Sequence, residues 1–333
     1  MRSASLIRTV SSVVCGTCLM VLAAVAPAAA EEWPSRPVTL VVPFGAGSGS
    51  DIVARILAAR MGELLGKQIL IEDLGGAGGT IALKKVARAE PDGYQIVLGA
   101  VDTFAQSQYL FRTPTSNTLT DFIPIGLAVE QPLVLVTNKS LPFDDLKGFA
   151  DYLKKNQTKM RFGSAGIGAA PYLACAMLTA AVGATATHVP YRSAAPALQD
   201  MVAGDIDYYC PLAVSAAGLM AAKSVKVLAI LTKDRSPLFP DLPTAREQGF
   251  DVVDGYYWMG LFAPKGTPAS VIARLNAALV GALETPALQS RLRDTAATVV
   301  PPDQRSSAYL QDYLGTEITK WAAIMKATEV PQQ

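Results

Sequence analysis

Val38-Thr39-Leu40-Val41-Val42-Pro43-Phe44-Gly45-Ala46-Gly47-Ser48-Gly49-Ser50-Asp51 is the stretch on which the fold class turns. Its first five side chains are aliphatic or β-branched with no polar alternation, which marks a strand buried on both faces, and Pro43 stops it. Small residues then form a loop. Beyond it Ile52, Val53, Ile56, Leu57, Met61 and Leu64 recur with helical spacing as far as Gly66. The β–loop–α unit repeats at once: a strand over Gln68 to Glu72, the loop Gly75-Gly76-Ala77-Gly78-Gly79-Thr80, a helix over Ile81 to Ala89 and a strand over Tyr94 to Leu98. Strands alternating with helices build a parallel sheet covered on both faces.

A second series of the same kind begins with the strand Lys159 to Phe162 and the loop Gly163-Ser164-Ala165-Gly166-Ile167-Gly168, followed by a helix through Leu173 and Leu178. Further strands are expected at Thr187 to Pro190, Ile206 to Tyr209 and Val225 to Leu231. Two extended stretches, Pro132 to Thr137 and Trp258 to Ala263, separate the series and read as crossings at a hinge. Ala269 to Leu283 and Ser306 to Lys326 have helical spacing and should pack back on the first lobe. The expected class is therefore α/β with two lobes, each a mostly parallel sheet flanked by helices. Residues 31–133 and 255–333 make lobe 1 and residues 134–254 make lobe 2.

The first 30 residues have the grammar of an export signal: Arg2 and Arg8 in a basic start, an apolar core from Val13 to Val25, and small residues Ala28-Ala29-Ala30 for a peptidase. A membrane anchor is the competing reading, opposed by the shortness of the apolar core and by Pro27 directly after it. Cys15 and Cys18 leave with the signal. Cys175 and Cys210 remain, in an oxidising compartment, either as a disulfide or as two buried free thiols.

Composition narrows the functions. With 50% hydrophobic and 17% charged residues over 333 positions, the chain can bury a core and is not disordered. Lys and Arg number 29 against 28 Asp and Glu, so no net field gathers a polyanion, and nucleic acid is excluded as a partner. A dinucleotide site fails on spacing, because Ser50 stands where the third glycine of G-x-G-x-x-G belongs; the phosphate-loop and G-x-S-x-G patterns are absent. His188 is the only histidine, and one His with two distant Cys makes no zinc site. No catalytic residue, metal or cofactor is expected.

What remains is a binder. Glycine-rich loops that open helices present converging backbone N–H groups and the positive end of a helix dipole, which together favour anions. The loops at 44–51, 75–80 and 163–168 all leave the carboxyl ends of strands, and none carries Lys or Arg. They suit a small carboxylate held by neutral donors, with Arg192 as the nearest candidate cation.

The ordered series of short motifs along the chain resembles the extracytoplasmic solute receptors of the tripartite tricarboxylate transporter type, the Bug family. It includes Trp33-Pro34-Ser35-Arg36-Pro37-Val38, Pro43-Phe44 to Asp51, Gly76-Ala77-Gly78-Gly79-Thr80, Pro91-Asp92-Gly93-Tyr94, Asp121-Phe122-Ile123-Pro124-Ile125, His188-Val189-Pro190-Tyr191, Pro240-Asp241-Leu242-Pro243-Thr244 and Ala263-Pro264-Lys265-Gly266-Thr267-Pro268. The resemblance implies a two-lobed periplasmic binding protein, monomeric, that closes on a small organic acid and delivers it to a membrane permease of one large and one small subunit. It implies ligand contacts from Phe44, Gly45, Ala46, Gly47, Ser48, Gly49 and Ser50 in the first loop and from Ser164, Ala165, Gly166, Ile167 and Gly168 in the second lobe. Gly78, Thr103, Tyr172, His188, Tyr191, Tyr209 and Cys210 complete the expected set, with Asp51 a helix-terminal charge. The chain departs from the family pattern around Ala169-Ala170-Pro171-Tyr172 and Tyr209-Cys210-Pro211, where polar residues give way to aromatic and apolar ones. The expected ligand is thus a carboxylate with a bulkier, less polar body than citrate or a dicarboxylic amino acid, of aromatic type. A sensor that presents the closed form to a signalling ectodomain, and an exported α/β hydrolase built on His188, are the alternatives.

Overall fold

The computed structural model describes residues 33–110, 116–250 and 256–328. The segment read as an export signal lies outside them. Residues from Arg36 onward form one compact unit, distinct from the one that ends at Ser35.

Strand β1 (Val38–Val42) is buried along its length apart from a half-buried Thr39, as its unbroken apolar run requires. It pairs in parallel with β2 (Ile69–Asp73) on one side and β3 (Gln95–Ala100) on the other. Helix α1 (Gly49–Leu65) links β1 to β2: the Ser48 hydroxyl caps it by accepting the Asp51 N–H at 3.2 Å, and Gly66, left-handed at φ 72°, ends it. Helix α2 (Thr80–Ala87) links β2 to β3. After β3 the chain makes a π-helical turn (Val101–Gln106) that runs into the short α3 (Ser107–Leu110). Strand β4 (Phe122–Gln131) follows.

Pro132 and Leu133 carry the chain into a second sheet at β5 (Val134–Asn138). That sheet is completed by α4 (Leu146–Asn156), β6 (Arg161–Ser164), α5 (Ala170–Val182), β7 (Thr187–Pro190), α6 (Ala194–Ala203), β8 (Tyr208–Tyr209), α7 (Ala213–Ala221) and β9 (Val225–Ile230). The chain then returns to the first sheet at β10 (Tyr257–Pro264), followed by α8 (Ala269–Leu283), α9 (Pro286–Asp294), β11 (Thr298–Val299) and α10 (Ser307–Thr328). The six-stranded sheet has the order β11-β4-β10-β3-β1-β2, and the five-stranded sheet β7-β6-β8-β5-β9.

Two features differ from the sequence reading. By direction most strands are parallel, as expected, but each sheet holds opposed strands: β10 and β11 run against β1, β2, β3 and β4, and β5 runs against β6, β7, β8 and β9. The reason is connectivity, since a strand that passes straight into the other sheet has no helical crossover to restore its direction. The stretches read as crossings are themselves sheet strands, and β10, buried throughout, lies between β4 and β3. Strand β8 is also shorter than expected at its start, because the N–H groups of Gly204, Asp205 and Ile206 fold back on the Asp200 carbonyl at 2.9, 2.8 and 3.4 Å to close α6.

The first core holds Tyr257, Trp258 and Phe262 of β10, wholly or almost wholly buried, with α10 packed over β4 and the π-helical turn. The Trp258 indole donates to Glu317 on α10 at 3.0 Å, so the buried polar atom is satisfied. The second core gathers Val134, Val136, Leu198, Met201, Ile206 and Tyr209. Among the described residues no single helix is long and apolar enough to cross a membrane.

Candidate functional site

All three glycine-rich turns leave the carboxyl ends of parallel strands, β1, β2 and β6, and they come together. A Cβ placed on Gly78 would lie 2.6 Å from the Ile167 carbonyl oxygen and 2.9 Å from Gly168 Cα, so the first-lobe turn touches the second-lobe turn backbone to backbone. Only glycine permits that approach, and its φ of 61° adds a second reason.

Two hollows lie along this seam. The outer one, about 380 Å³, is a groove lined by Gly76, Ala77 and Gly78 against Ala165, Gly166, Ile167, Pro190, Tyr191 and Arg192. The inner one is a cavity of about 30 Å³, room for roughly two waters. Phe44, Ser48, Gly49, Ser50, Asp102 and Tyr257 line it from the first lobe; Ala165, Ala169, Pro171, Ala194, Tyr209, Leu212 and Ser215 line it from the second. Ala165 faces both hollows.

Asp102 dominates the inner cavity. It is fully buried in the π-helical turn, a local irregularity often found where function is placed. One oxygen accepts the Thr103 N–H at 2.7 Å, the other the N–H of Ala170 at 3.3 Å, and the Tyr257 hydroxyl bridges both at 3.0 and 2.9 Å. Ala170 opens α5, so a first-lobe carboxylate occupies the amino end of a second-lobe helix. Burial pushes the Asp102 carboxyl up to about 7, with the donors from Ala170, Tyr257 and Thr103 pulling the other way. Burial also raises Tyr257, beside Asp102, well above the usual phenol range. Tyr209 is raised by burial as well, and among the described residues its hydroxyl has no hydrogen-bond partner.

The expected contact residues divide by position. Phe44, Ser48, Gly49, Ser50, Ala165 and Tyr209 line the inner cavity, and Gly78, Ala165, Gly166, Ile167 and Tyr191 the outer groove. Gly45 packs beside Ser193, and Gly168 lies under Gly78. Ala46 and Gly47 face solvent, and the Gly47 N–H is spent on Asp51 at 2.8 Å. Thr103 turns its hydroxyl back on Ala100, at 3.1 Å to the N–H and 3.2 Å to the carbonyl. Tyr172 stands in a ring stack with Phe162 and His188, centroids 6.2 and 4.7 Å away, off the cavity wall. Cys210 is joined to Cys175 by a disulfide, Cα–Cα 5.5 Å, which settles the choice left open by the sequence and ties the end of β8 to α5.

His188 is placed by β7 so that its Nε2 lies 2.6 Å from the Ser164 hydroxyl, which also accepts the Gly166 N–H at 3.0 Å. Burial lowers the imidazole to about 4, so it is neutral at ordinary pH and shares one hydrogen bond with the Ser164 hydroxyl. Ser164 is fully buried and His188 partly so. The sequence reading missed Asp102, Tyr257, Ala169, Pro171, Ala194, Leu212 and Ser215. An acid directly after the apolar run of β3, at the carboxyl end of a buried parallel strand, is the one signal that pointed to any of them.

The profile of the "Tripartite tricarboxylate transporter family receptor" matches residues 53–330. The chain belongs to the tripartite tricarboxylate transporter receptor family. Among members of this receptor family, a protein from Agrobacterium vitis, "UPF0065 protein in the TAR-I ttuE-ttuC' intergenic region", is 37% identical over 302 residues, 89% of this chain and 86% of the relative. The solved periplasmic binding protein BugD is 37% identical and superposes with a TM-score of 0.86 over 90% of this chain and all of its own. MatC from Rhodopseudomonas palustris, solved with bound malate, is 38% identical with a TM-score of 0.84, over 87% of this chain and 98% of its own. The two-lobed α/β architecture is therefore that of the receptor family, whose members are solute-binding proteins.

Proposed function

We propose that the protein is a periplasmic receptor that closes two lobes on a small carboxylate with an apolar or aromatic body and hands it to a two-subunit membrane permease. We assign residues 31–133 and 255–333 to one lobe and 134–254 to the other, with an export signal ending near Ala30. The observation that carries the reading is the meeting of turns from both lobes at Gly78 and Ile167–Gly168, over a cavity that includes Ser48, Gly49 and Ser50 at the amino end of α1. Such an end supplies backbone donors and a favourable dipole for a carboxylate. Phe44, Tyr209 and Tyr257 supply apolar wall. The malate bound in MatC supports the ligand class. With about 30 Å³ enclosed, entry requires the lobes to part at the crossings between β4 and β5 and between β9 and β10.

A ligand that binds only the folded protein raises its melting temperature, by about 2.7 kcal/mol of stability at a concentration of 100 Kd. Melting the purified protein against malate, succinate, benzoate and 3-phenylpropanoate, with calorimetric titration of each hit, is expected to give at least one saturable shift. No shift with any carboxylate, together with a shift from sugars or inorganic cations, rejects the reading.

A further inference from the structure

We propose that two copies of this chain join through the open edge of the first sheet, β2 of one antiparallel to β2 of the other, about a two-fold axis at Leu70. The inference concerns the outer face of the first lobe and does not depend on the ligand. It replaces the single copy that the family resemblance implies.

Strand β2 ends the six-stranded sheet, with β1 on one side and no strand on the other among the described residues. Its register with β1 runs unbroken from Val38↔Ile69 to Val42↔Asp73, and Ile69–Asp73 holds no bulge, Pro or Lys. Sheet edges are ordinarily blunted by such devices, because an open ladder templates another strand. The Val38 N–H donates to the Gln68 carbonyl at 3.0 Å and the Leu74 N–H to the Val42 carbonyl at 2.9 Å. Bonding direction alternates along a strand, so the backbone groups of Gln68, Leu70, Glu72 and Leu74 face β1, and those of Ile69, Ile71 and Asp73 point outward. Leu70 is 49% exposed, and Ile69 and Ile71 are half-buried.

Those outward groups limit the antiparallel registers, since they must meet one another. With Ile71 on the axis, Leu70 lies opposite Glu72 and Ile69 opposite Asp73. With Ile69 on the axis, Lys67 lies opposite Ile71 and Gln68 opposite Leu70. With Leu70 on the axis, Leu70 meets its own copy, Ile69 meets Ile71, Gln68 meets Glu72 and Lys67 meets Asp73. Of the three, this last sets apolar against apolar and base against acid, the pairings that stabilise neighbouring strands. The acidic end is short of one cation: Asp51 and Asp73 share Arg55, at 2.6 and 2.9 Å, which leaves one negative charge for Lys67 of the second copy.

The helix beside β2 fits the same axis. Between them runs an open groove of about 670 Å³, lined from α1 by Arg55, Ala58, Ala59, Gly62 and Glu63. A Cβ on Gly62 would lie 3.2 Å from the Lys67 carbonyl oxygen and 3.6 Å from Gln68 Cα, so Gly62 is level with Gln68. Helix α1 runs back against β2. The two strand residues from Gln68 to Leu70 span about 6.6 Å, or roughly four helical residues, which puts the axis beside Ala58. The two α1 helices then pass with small residues between them. Glu63 of each comes opposite Arg55 of the other, both side chains being exposed.

The test is analytical sedimentation of the purified protein from micromolar to near-millimolar concentration, where a concentration-dependent dimer is expected. Leu70→Lys and Lys67→Asp, both at exposed positions, should each weaken dimerisation at least tenfold and leave the melting temperature of the dilute protein unchanged. Cysteine placement reads the register. Leu70→Cys should couple to itself as a disulfide dimer under oxidation, since directly opposed residues lie within disulfide reach. Gln68→Cys should not couple to itself, because the two copies of that position lie four residues, about 13 Å, apart along the strands, but should couple when mixed with Glu72→Cys. A monomer at every concentration overturns the proposal and leaves the receptor reading standing. So does a dimer that Lys67→Asp leaves intact, or one that couples through Gln68→Cys alone, since it uses another surface or another register. Lys67→Asp and the cysteine variants decide the matter even where Leu70→Lys does not fold.

Discussion

Asp102 is the residue on which most of the site's electrostatics depends. Burial lifts its folded-state pKa from 3.8 to about 7. A raised acid keeps its proton in the fold where the unfolded chain has lost it, so its contribution to stability is fully present below about pH 4 and is lost as pH rises through 7. His188 works the other way: lowered from 6.5 to about 4, it contributes above pH 6.5 and loses that contribution as pH falls towards 4. Melting curves from pH 4 to pH 8 should therefore show the wild type losing ground steadily to Asp102→Asn as pH rises, while the His188 contribution is common to both. A difference between the two proteins that stays flat across the range would mean that Asp102 does not titrate there. Its position after β3 was legible in the sequence, but neither its burial nor its partners were. Asp102 is an isolated acid after an apolar run, its partners Tyr257 and Ala170 lie 155 and 68 positions away, and nothing local tells a buried acid from one at the tip of a surface turn. Thr103, its neighbour, drew the expectation instead and is occupied with Ala100.

At the level of elements the sequence was far more legible. The β1–loop–α1 unit carries its own boundaries: an apolar run ended by Pro43, a serine cap and a closing Gly66. What the pattern could not supply was strand direction, because parallel and antiparallel neighbours place the same demand on side chains buried on both faces, and only the connections decide. The pairing of the two cysteines was equally hidden, being a matter of distance. Their disulfide closes a loop of 35 residues between α5 and the end of β8. In the chain-entropy account a loop of that length stabilises the fold by about 3–4 kcal/mol. Cys175→Ala with Cys210→Ala should lower the denaturation free energy by about that amount, read from urea unfolding of the oxidised wild type beside the double variant. Equal midpoints would show that the bridge does not form or does not constrain the unfolded chain.

For the molecule as a whole, in the closure proposed above, the close approach of Gly78 to Ile167 and Gly168 is the contact that limits how far the lobes shut. Gly78→Val puts a branched side chain where a Cβ alone would sit 2.6 Å from a carbonyl oxygen, at a φ of 61° that branched residues avoid. The variant should remain folded, bind the ligand at least tenfold more weakly and fail to contract in small-angle scattering when ligand is added. Contraction equal to that of the wild type would show that the turns do not limit closure. The disulfide bears on the same motion. Because it fastens α5 to β8, Ala169 and Pro171 at the head of the helix and Tyr209 at the strand end are parts of one stiff block. That half of the mould therefore keeps its contour while the jaws gape. In the closure proposed above, a guest meets on that side a surface whose outline the bridge has already set.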